Sequence, residues 1–375
     1  MIKYIGFFDF SNARLKRKYI TAATNKMEYI VEAINQAGYD VELISLSQAE
    51  EKRISFYCGE TVVKSPHFKV RFFPTVGGSN KLMKFLRLLE HYILLLYIAF
   101  FQLLKDDIVI VYHGMSYYNI LCLAKRIKKF KLILEVEEIY QDARDYSEYI
   151  KQSELNMFES ADAYIFSTEL LEQKLNHNHK PFVVIYGTYK VESQFVDKWN
   201  DGKIHVVYAG TFDPRKGGAS AAVAAAMYLP SNYHLHILGF GSENEVEDIK
   251  MKVNAVNEQA KAVVTYEGLM LGRDYTEFIQ RCHIGLSTQN PDAIFNATSF
   301  PSKILSYMAN GLAVVSVKID AVTQASIGND INYYIKQSPE EIANAIMQVD
   351  IQQDCRDVIT ELNSEFIRKV KLLLS

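Results

Sequence analysis

The sequence predicts an α/β protein of two domains, each a mainly parallel sheet flanked by helices, on three observations. Short β-branched and aromatic runs alternate with longer amphipathic stretches, which is the pattern of βαβ units. The chain has 375 residues, too many for one ordinary core and about right for two. A polar stretch from Lys190 to Lys203 breaks the alternation, and a fresh apolar strand then begins at His205. With 49% hydrophobic and 23% charged residues, the chain can offset its ordering entropy by burial, so a disordered or fibrous protein is excluded. Its 41 basic and 44 acidic residues lack the cationic excess that a phosphate backbone requires, so nucleic acid is not an expected partner.

The first domain is expected over 1–192, with strands at 2–8, 41–45, 108–112, 131–136, 162–167 and 182–186. The run from Met1 to Asp9 meets an acid too early for a signal peptide and reads as the first strand. Helices fall at 25–37, stopped by Gly38, and at 117–129. The second domain is expected over 203–350, with strands at 204–209, 234–238, 263–266, 283–287 and 313–317. Its helices fall at about 217–228, 243–258, 274–281 and 301–310. Residues 351–375 read as a closing helix that packs back on the first domain. Cys58, Cys122, Cys282 and Cys355 form no CxxC pair, which points to reduced thiols and a cytoplasmic setting.

From Leu82 to Leu104 the chain is mostly apolar, but its longest uncharged stretch, His91 to Leu104, has 14 residues and falls short of the roughly 20 needed to span a bilayer. Two readings stand. One is a buried helix feeding the strand at 108–112, and it comes first because Asp106-Asp107 punctuates an ordinary helix-to-strand join. The other is peripheral contact with the inner face of a cytoplasmic membrane, with Lys81, Lys84 and Arg87 meeting anionic headgroups.

Open parallel sheets bind ligands at the carboxyl ends of their strands, so the turns after the strands are the informative positions. After 204–209 come Gly210, Thr211, Arg215, Lys216 and the pair Gly217-Gly218, which together read as an anion site or an ordinary polar loop. Strand 234–238 ends in Gly239-Phe240-Gly241-Ser242, a tight turn without the third glycine of the dinucleotide fingerprint. Gly268 and Leu269 follow the next strand and could offer backbone groups to a flat base. The strongest local signal is Thr298-Ser299-Phe300-Pro301-Ser302-Lys303, where capping residues flank a proline at a helix start and Asn310-Gly311 closes the helix. A lysine in a first turn opposes the helix dipole, so an anion at that end would compensate it. The alternative is a surface lysine beside a capped helix.

In this order the elements resemble the C-terminal half of a retaining GT-B glycosyltransferase of the large family 4 group that includes bacterial polysaccharide and O-antigen enzymes. The resemblance covers most of the chain, and its specific motifs lie in 205–317. It implies two Rossmann-like domains facing each other across a cleft, the first binding acceptor and the second donor. Lys216 falls on the family lysine that binds the donor diphosphate, Thr211 replaces the family arginine, and Arg215 is a possible substitute from another place. Phe300 to Lys303 match the loop whose backbone holds the distal phosphate, while Thr298 and Ser306 occupy the two glutamate positions that usually contact sugar and ribose. In the first half the usual glycine pair after the first strand is replaced by Phe10 to Arg14. His113 and Glu138, at strand ends, are the candidates to orient or deprotonate an acceptor hydroxyl, with solvated or structural roles as alternatives. Alternation places Glu135 and Glu137 on one face and Glu138 on the other.

The resemblance thus implies metal-independent, retaining transfer of a sugar from a nucleotide diphosphate, UDP ahead of GDP, to a saccharide hydroxyl, with a lipid-linked glycan as acceptor. No cofactor is expected beyond that donor. Lys216 and Lys303, with the amides of Ser299 to Ser302, would stabilise the leaving diphosphate. Loss of both glutamates keeps open a non-catalytic subunit that binds a partner or glycan, and a UDP-sugar 2-epimerase ranks lower. His234 and His236 share a strand face, but no carboxylate or cysteine stands at ligand spacing, so no metal is expected.

Overall fold

The computed structural model describes every residue except Ser11, Asn12, Arg14, Arg144, Asp145, Ile294, Phe295 and Ala297, and the backbone alone of Ala143. Most of the Phe10 to Arg14 segment, noted above for its missing glycines, therefore lies outside the described residues. The chain forms two compact units. One comprises Met1–Ser167, Leu171–Thr188 and Glu365–Ser375, and the other comprises Thr168–Leu170 and Tyr189–Ser364.

The first unit holds the strands β1 (Ile2–Gly6), β2 (Val41–Ser45), β3 (Ser55–Tyr57), β4 (Glu60–Ser65), β5 (Phe68–Phe72), β6 (Thr75–Gly77), β7 (Ile108–Tyr112), β8 (Lys131–Val136), β9 (Ala163–Phe166) and β10 (Phe182–Val184). Eight of them make one sheet in the order β10-β9-β8-β7-β1-β2-β5-β4, and β3 and β6 pair separately. Only the edge pairing β4–β5 in the large sheet is antiparallel. The apolar runs of β1, β2, β7 and β8 are buried on both faces, as a parallel sheet between helices requires. The sequence reading passed over β3 to β6. Of these, β5 alternates buried and half-buried residues and was legible, whereas β4 is largely exposed and is a strand only through its pairing with β5.

The helix Thr21–Gln36 ends at Gly38, whose φ of 96° supplies the expected left-handed stop. The helix Tyr118–Lys128 ends instead on Lys129 at φ 59°. The apolar segment is the helix Lys81–Tyr97 continued by one π turn, Ile98–Gln102. Leu95, Ile98 and Ala99 are fully buried in the core, but Leu82, Phe85, Leu88, Leu89, Ile93 and Phe101 are exposed, so the buried-helix expectation is corrected. At 22 residues, counted with its flanking lysines, the helix is long and apolar enough to cross a membrane by length and composition, unlike the 14-residue uncharged stretch alone. The closing helix runs from Arg356 to Leu374. Its last residues pack on the first unit, where Phe366 stacks on Tyr29 and the carbonyl of Leu373 accepts from Lys131 Nζ, while those before Glu365 belong to the second unit.

The second unit holds β11 (Ile204–Thr211), β12 (Tyr233–Phe240), β13 (Val263–Gly268), β14 (Ile284–Ser287), β15 (Ala313–Val317) and β16 (Asn332–Tyr334), all parallel in the order β13-β12-β11-β14-β15-β16. The chain builds outward from β11 to β13 and then crosses to β14 on the other side. The boundary between β11 and β14 is therefore the topological switch point, where open sheets bind ligands. Every strand expected in this unit forms within two residues of its expected ends, and β16 is added.

Candidate active site

Glycines shape the carboxyl edge of the second sheet. Gly210 and Gly239 lie opposite each other in the β11–β12 pairing, and Gly239 has φ 145°. A Cβ on Gly239 would stand 1.8 Å from the carbonyl oxygen of Gly210, so only glycine lets the two strand ends close. A Cβ on Gly210 would lie 3.0 Å from Lys303 Nζ, so the bare backbone there makes room for the lysine head. Both glycines, with Ala209, Leu238, Leu269 and Tyr275, line a crevice of about 200 Å³ at the ends of β11, β12 and β13. Gly241 lies just beyond, where Ser242 and Glu245 form a reciprocal capping box for the helix Glu243–Asn257. That turn is thus accounted for by strand closure and helix capping. Gly268 ends β13 at φ 80°, and Leu269 follows it, exposed at the crevice. A larger cavity of about 730 Å³ in the first unit opens at the amino ends of β7 and β8, away from any strand-end chemistry.

Lys303 begins the helix Lys303–Ala309, which follows β14 and packs through Tyr307 into space left by Gly285. Tyr307 fixes the helix to β11, its hydroxyl oxygen accepting the amide of Ala209 at 2.7 Å. This anchor holds Lys303 Nζ over the ring of Tyr208, 4.0 Å from its centroid, at the switch point. Protein crowds the ammonium although the residue as a whole is half-buried. That burial, with the charge of Lys216 adding to it, pushes the Lys303 pKa down to about 7. No carboxylate pairs with Lys303 among the described residues. The structure therefore brings the two lysines named from sequence into electrostatic contact at one place.

The other candidates divide. Lys216 is exposed in the turn after β11, its amide donating to the carbonyl of Asp213 and its carbonyl accepting from Asn290. Arg215 forms a two-pronged ion pair with Asp213, with Nη2 to Oδ2 at 2.7 Å, which holds the Asp213 carboxyl down at about 2. Thr211 is the exposed last residue of β11. Thr298, Ser299, Phe300 and Pro301 are half-buried and precede the helix. Ser302 is its exposed N-cap but makes no side-chain capping bond and has helical φ and ψ, which corrects the expected capping chemistry. Ser306, in the ribose position of the family pattern, shares a hydrogen bond of 3.2 Å with the hydroxyl of Tyr275, a crevice residue.

The first unit corrects one candidate. His113 is 1% exposed and stacked against Tyr118, Tyr140 and Phe158, with ring centroids 4.8 to 5.4 Å away. Its Nε2 stands 3.3 Å from Glu154 Oε1, and that carboxylate accepts the amides of Tyr140 and Gln141. A ring so enclosed cannot meet an acceptor hydroxyl, although it stands one residue beyond the end of β7. Glu138 is half-buried beyond β8 and has no ion pair among the described residues. Glu135 is fully buried and accepts from the hydroxyl of Tyr4, while Glu137 pairs with Lys26 at 2.6 Å. Burial, with the neighbouring Glu137 charge, pushes the Glu135 carboxyl up to about 8.

Two cations beside a glycine-floored crevice at a switch point suit a doubly charged phosphate group. Residues 203–349 match the family of glycosyl transferases group 1. The fold of the chain is GT-B, and the glycosyl transferase group 1 match lies within its second unit. It is similar in structure to sucrose-phosphate synthase from Thermosynechococcus elongatus, with TM-score 0.65 and 16% identity over 100% of this chain and 98% of that one. It is also similar to a trehalose-6-phosphate protein from E. coli bound with UDP-2-fluoro glucose, with TM-score 0.64 and 11% identity over 99% and 98% of the two chains. A third neighbour is Anabaena HepE in complex with UDP and glucose, with TM-score 0.60 and 12% identity over 100% and 99%. No curated protein matches the sequence. The narrower likeness to polysaccharide and O-antigen enzymes is not carried by these matches.

Proposed function

We propose that the protein transfers a sugar from a nucleotide diphosphate, UDP foremost, to a saccharide hydroxyl on a lipid-linked glycan, without a metal at the donor and with retention at the anomeric carbon. The observation that carries this reading is the Lys303 ammonium, held at the switch point beside Lys216 with no carboxylate partner among the described residues. A departing diphosphate develops negative charge at such a place, and fixed cations stabilise it in the transition state more than in the ground state. Lys216, Lys303 and the backbone of Ser299 to Ser302 take the phosphates, and the crevice under Leu269 takes the rest of the nucleotide. Ser306, with Tyr275, reaches the ribose in place of a glutamate. Retention is supported only by the likeness of the motifs, and a leaving-group oxygen would take the acceptor proton on the same face.

The lipid-linked acceptor is supported by the helix Lys81–Tyr97 and its π turn. Leu82, Phe85, Leu89, Ile93 and Phe101 form an exposed apolar face that Lys81 and Lys84 precede. Beside it an apolar groove of about 440 Å³, lined by Phe56, Phe73, Val76, Leu89, Ile93 and Tyr97, is wide enough for an alkyl chain. The same face would hold the protein at the inner surface of a cytoplasmic membrane. A donor panel of UDP- and GDP-sugars, assayed with a lipid extract as acceptor, tests the reading. Radiolabel moved from a UDP-sugar into the organic phase is the expected result, whereas label that stays in water-soluble saccharide rejects the lipid acceptor and no turnover with any donor rejects the whole proposal.

A further inference from the structure

Away from the crevice, the second sheet gathers a cluster of imidazoles that the donor chemistry does not use. His205 on β11 lies opposite His234 on β12, and His236 follows on the same face of β12. One ring nitrogen from each of the three lies within 4.8 Å of the others. His205 and His236 are buried, roofed by Trp199 with ring centroids 4.4 and 5.1 Å away. The sequence reading dismissed His234 and His236 for want of a carboxylate, but two come from other elements. Asp201 Oδ1 stands 3.1 Å from His205 Nε2, and Glu267 Oε1, on β13, stands 2.8 Å from His236 Nδ1.

These contacts fix where the protons are. Asp201 and Glu267 offer carboxylate oxygens as acceptors there, so the outer ring nitrogens carry the hydrogens. The inner nitrogens, His205 Nδ1 and His236 Nε2, then face each other at 2.8 Å with a lone pair on each. Two ring nitrogens at that separation are held together by a hydrogen or a metal ion between them. A metal ion meets the same need with a third imidazole at hand. Carboxylates on the far nitrogens are also the usual outer partners of metal-bound histidines.

We infer that His205, His234 and His236 form a three-imidazole site for one transition-metal ion of the Zn²⁺ class, with Asp201 and Glu267 orienting two of the rings. Four-coordinate Zn²⁺ with bonds of about 2.0–2.1 Å puts its ligand nitrogens roughly 3.3 Å apart, so the facing rings would open by about half an ångström. The bound ion would tie β11 to β12 and, through Glu267, to β13, beneath the helix Gly272–Arg281, whose Phe278 packs edge-on against His236. It would be a structural ion, separate from the metal-free transfer proposed above.

The test uses the full-length, untagged protein. It is stripped with a chelator, exposed to equimolar Zn²⁺, and desalted before metal analysis, with Co²⁺ substituted in parallel for its visible spectrum. The expected result is about one Zn²⁺ retained per chain, a d–d absorption of four-coordinate strength, and a raised melting temperature. All three should be lost in His236→Gln and kept in His177→Gln, a substitution outside the cluster. If His236→Gln does not fold, His234→Gln, at the partly exposed ring, gives the same readout. Retention below a tenth of an equivalent by the unmodified chain, or equal retention in the cluster variants, overturns the inference. UDP-dependent stabilisation of the metal-free protein is read separately, so failure of the metal site and failure of the transferase reading are distinguishable.

Discussion

The two units share a parallel sheet with a switch point beside its first strand, yet they handle charge at their strand ends in opposite ways. In the first unit the ionisable groups are spent on each other: Tyr4 on Glu135, Lys26 on Glu137, and His113 packed among aromatic rings beside Glu154. In the second, Lys303 sits crowded beside another cation, and no described carboxylate neutralises it. Buried charges are stable when paired and costly when not, so an unpaired cation marks a place where the ligand supplies the partner. A paired network of equal burial marks only the fold.

The largest effect that would sharpen this contrast is on turnover. Lys303→Ala should lower kcat by about 10²–10³-fold, the cost of removing one stabilising group from a developing anion, and Lys216→Ala should follow it, with circular dichroism unchanged. Near-wild-type turnover in both variants would dissolve the distinction. Next comes His113→Ala, which should cost about 2–4 kcal/mol of stability in urea titrations, as large-to-small changes in a packed core do, while leaving kcat of the folded enzyme within a factor of two or so. A selective loss of kcat there would return the residue to the active site.

Smaller effects come from the two shifted groups, and their signs are opposite. Glu135 titrates at about 8 when folded, well above the ordinary carboxylate, so the stability it contributes is complete at low pH and is lost as pH rises through 8. Glu135→Gln should remove that decline, seen as a flatter melting temperature between pH 5 and 9. Lys303 titrates at about 7 when folded and near 10.5 when unfolded, so the unfolded chain binds more protons between these values and the stability of the ligand-free protein should rise with pH across that window. A diphosphate should restore its charge. Calorimetry of UDP binding at pH 8 in buffers of different ionisation enthalpy should then show uptake of up to about one proton, absent in Lys303→Ala. The smallest effect is Ser306→Ala, which removes one neutral hydrogen bond of about 1 kcal/mol and should weaken UDP binding only a few-fold by titration.

The alternating architecture and the strands that carry the second unit are written in the sequence, because strand periodicity, glycine stops and strand-end turns are local properties of the chain, whereas the nearness of Lys216 to Lys303 is set by the fold. It also named Gly210 and Gly239, although not the reason for them, which is a closure between neighbouring strands. Tertiary structure decided what distance along the chain conceals. His113 stands at a strand end in sequence but inside a ring of aromatic residues in space. Arg215, a possible anion ligand by sequence, pairs in space with Asp213 two residues back. The helix after Asn80 turns its apolar side outward, and His205, His236 and Glu267 converge from three strands, a juxtaposition set by sheet register alone. Periodicity reports which face a residue shares, but only packing determines what lies opposite that face.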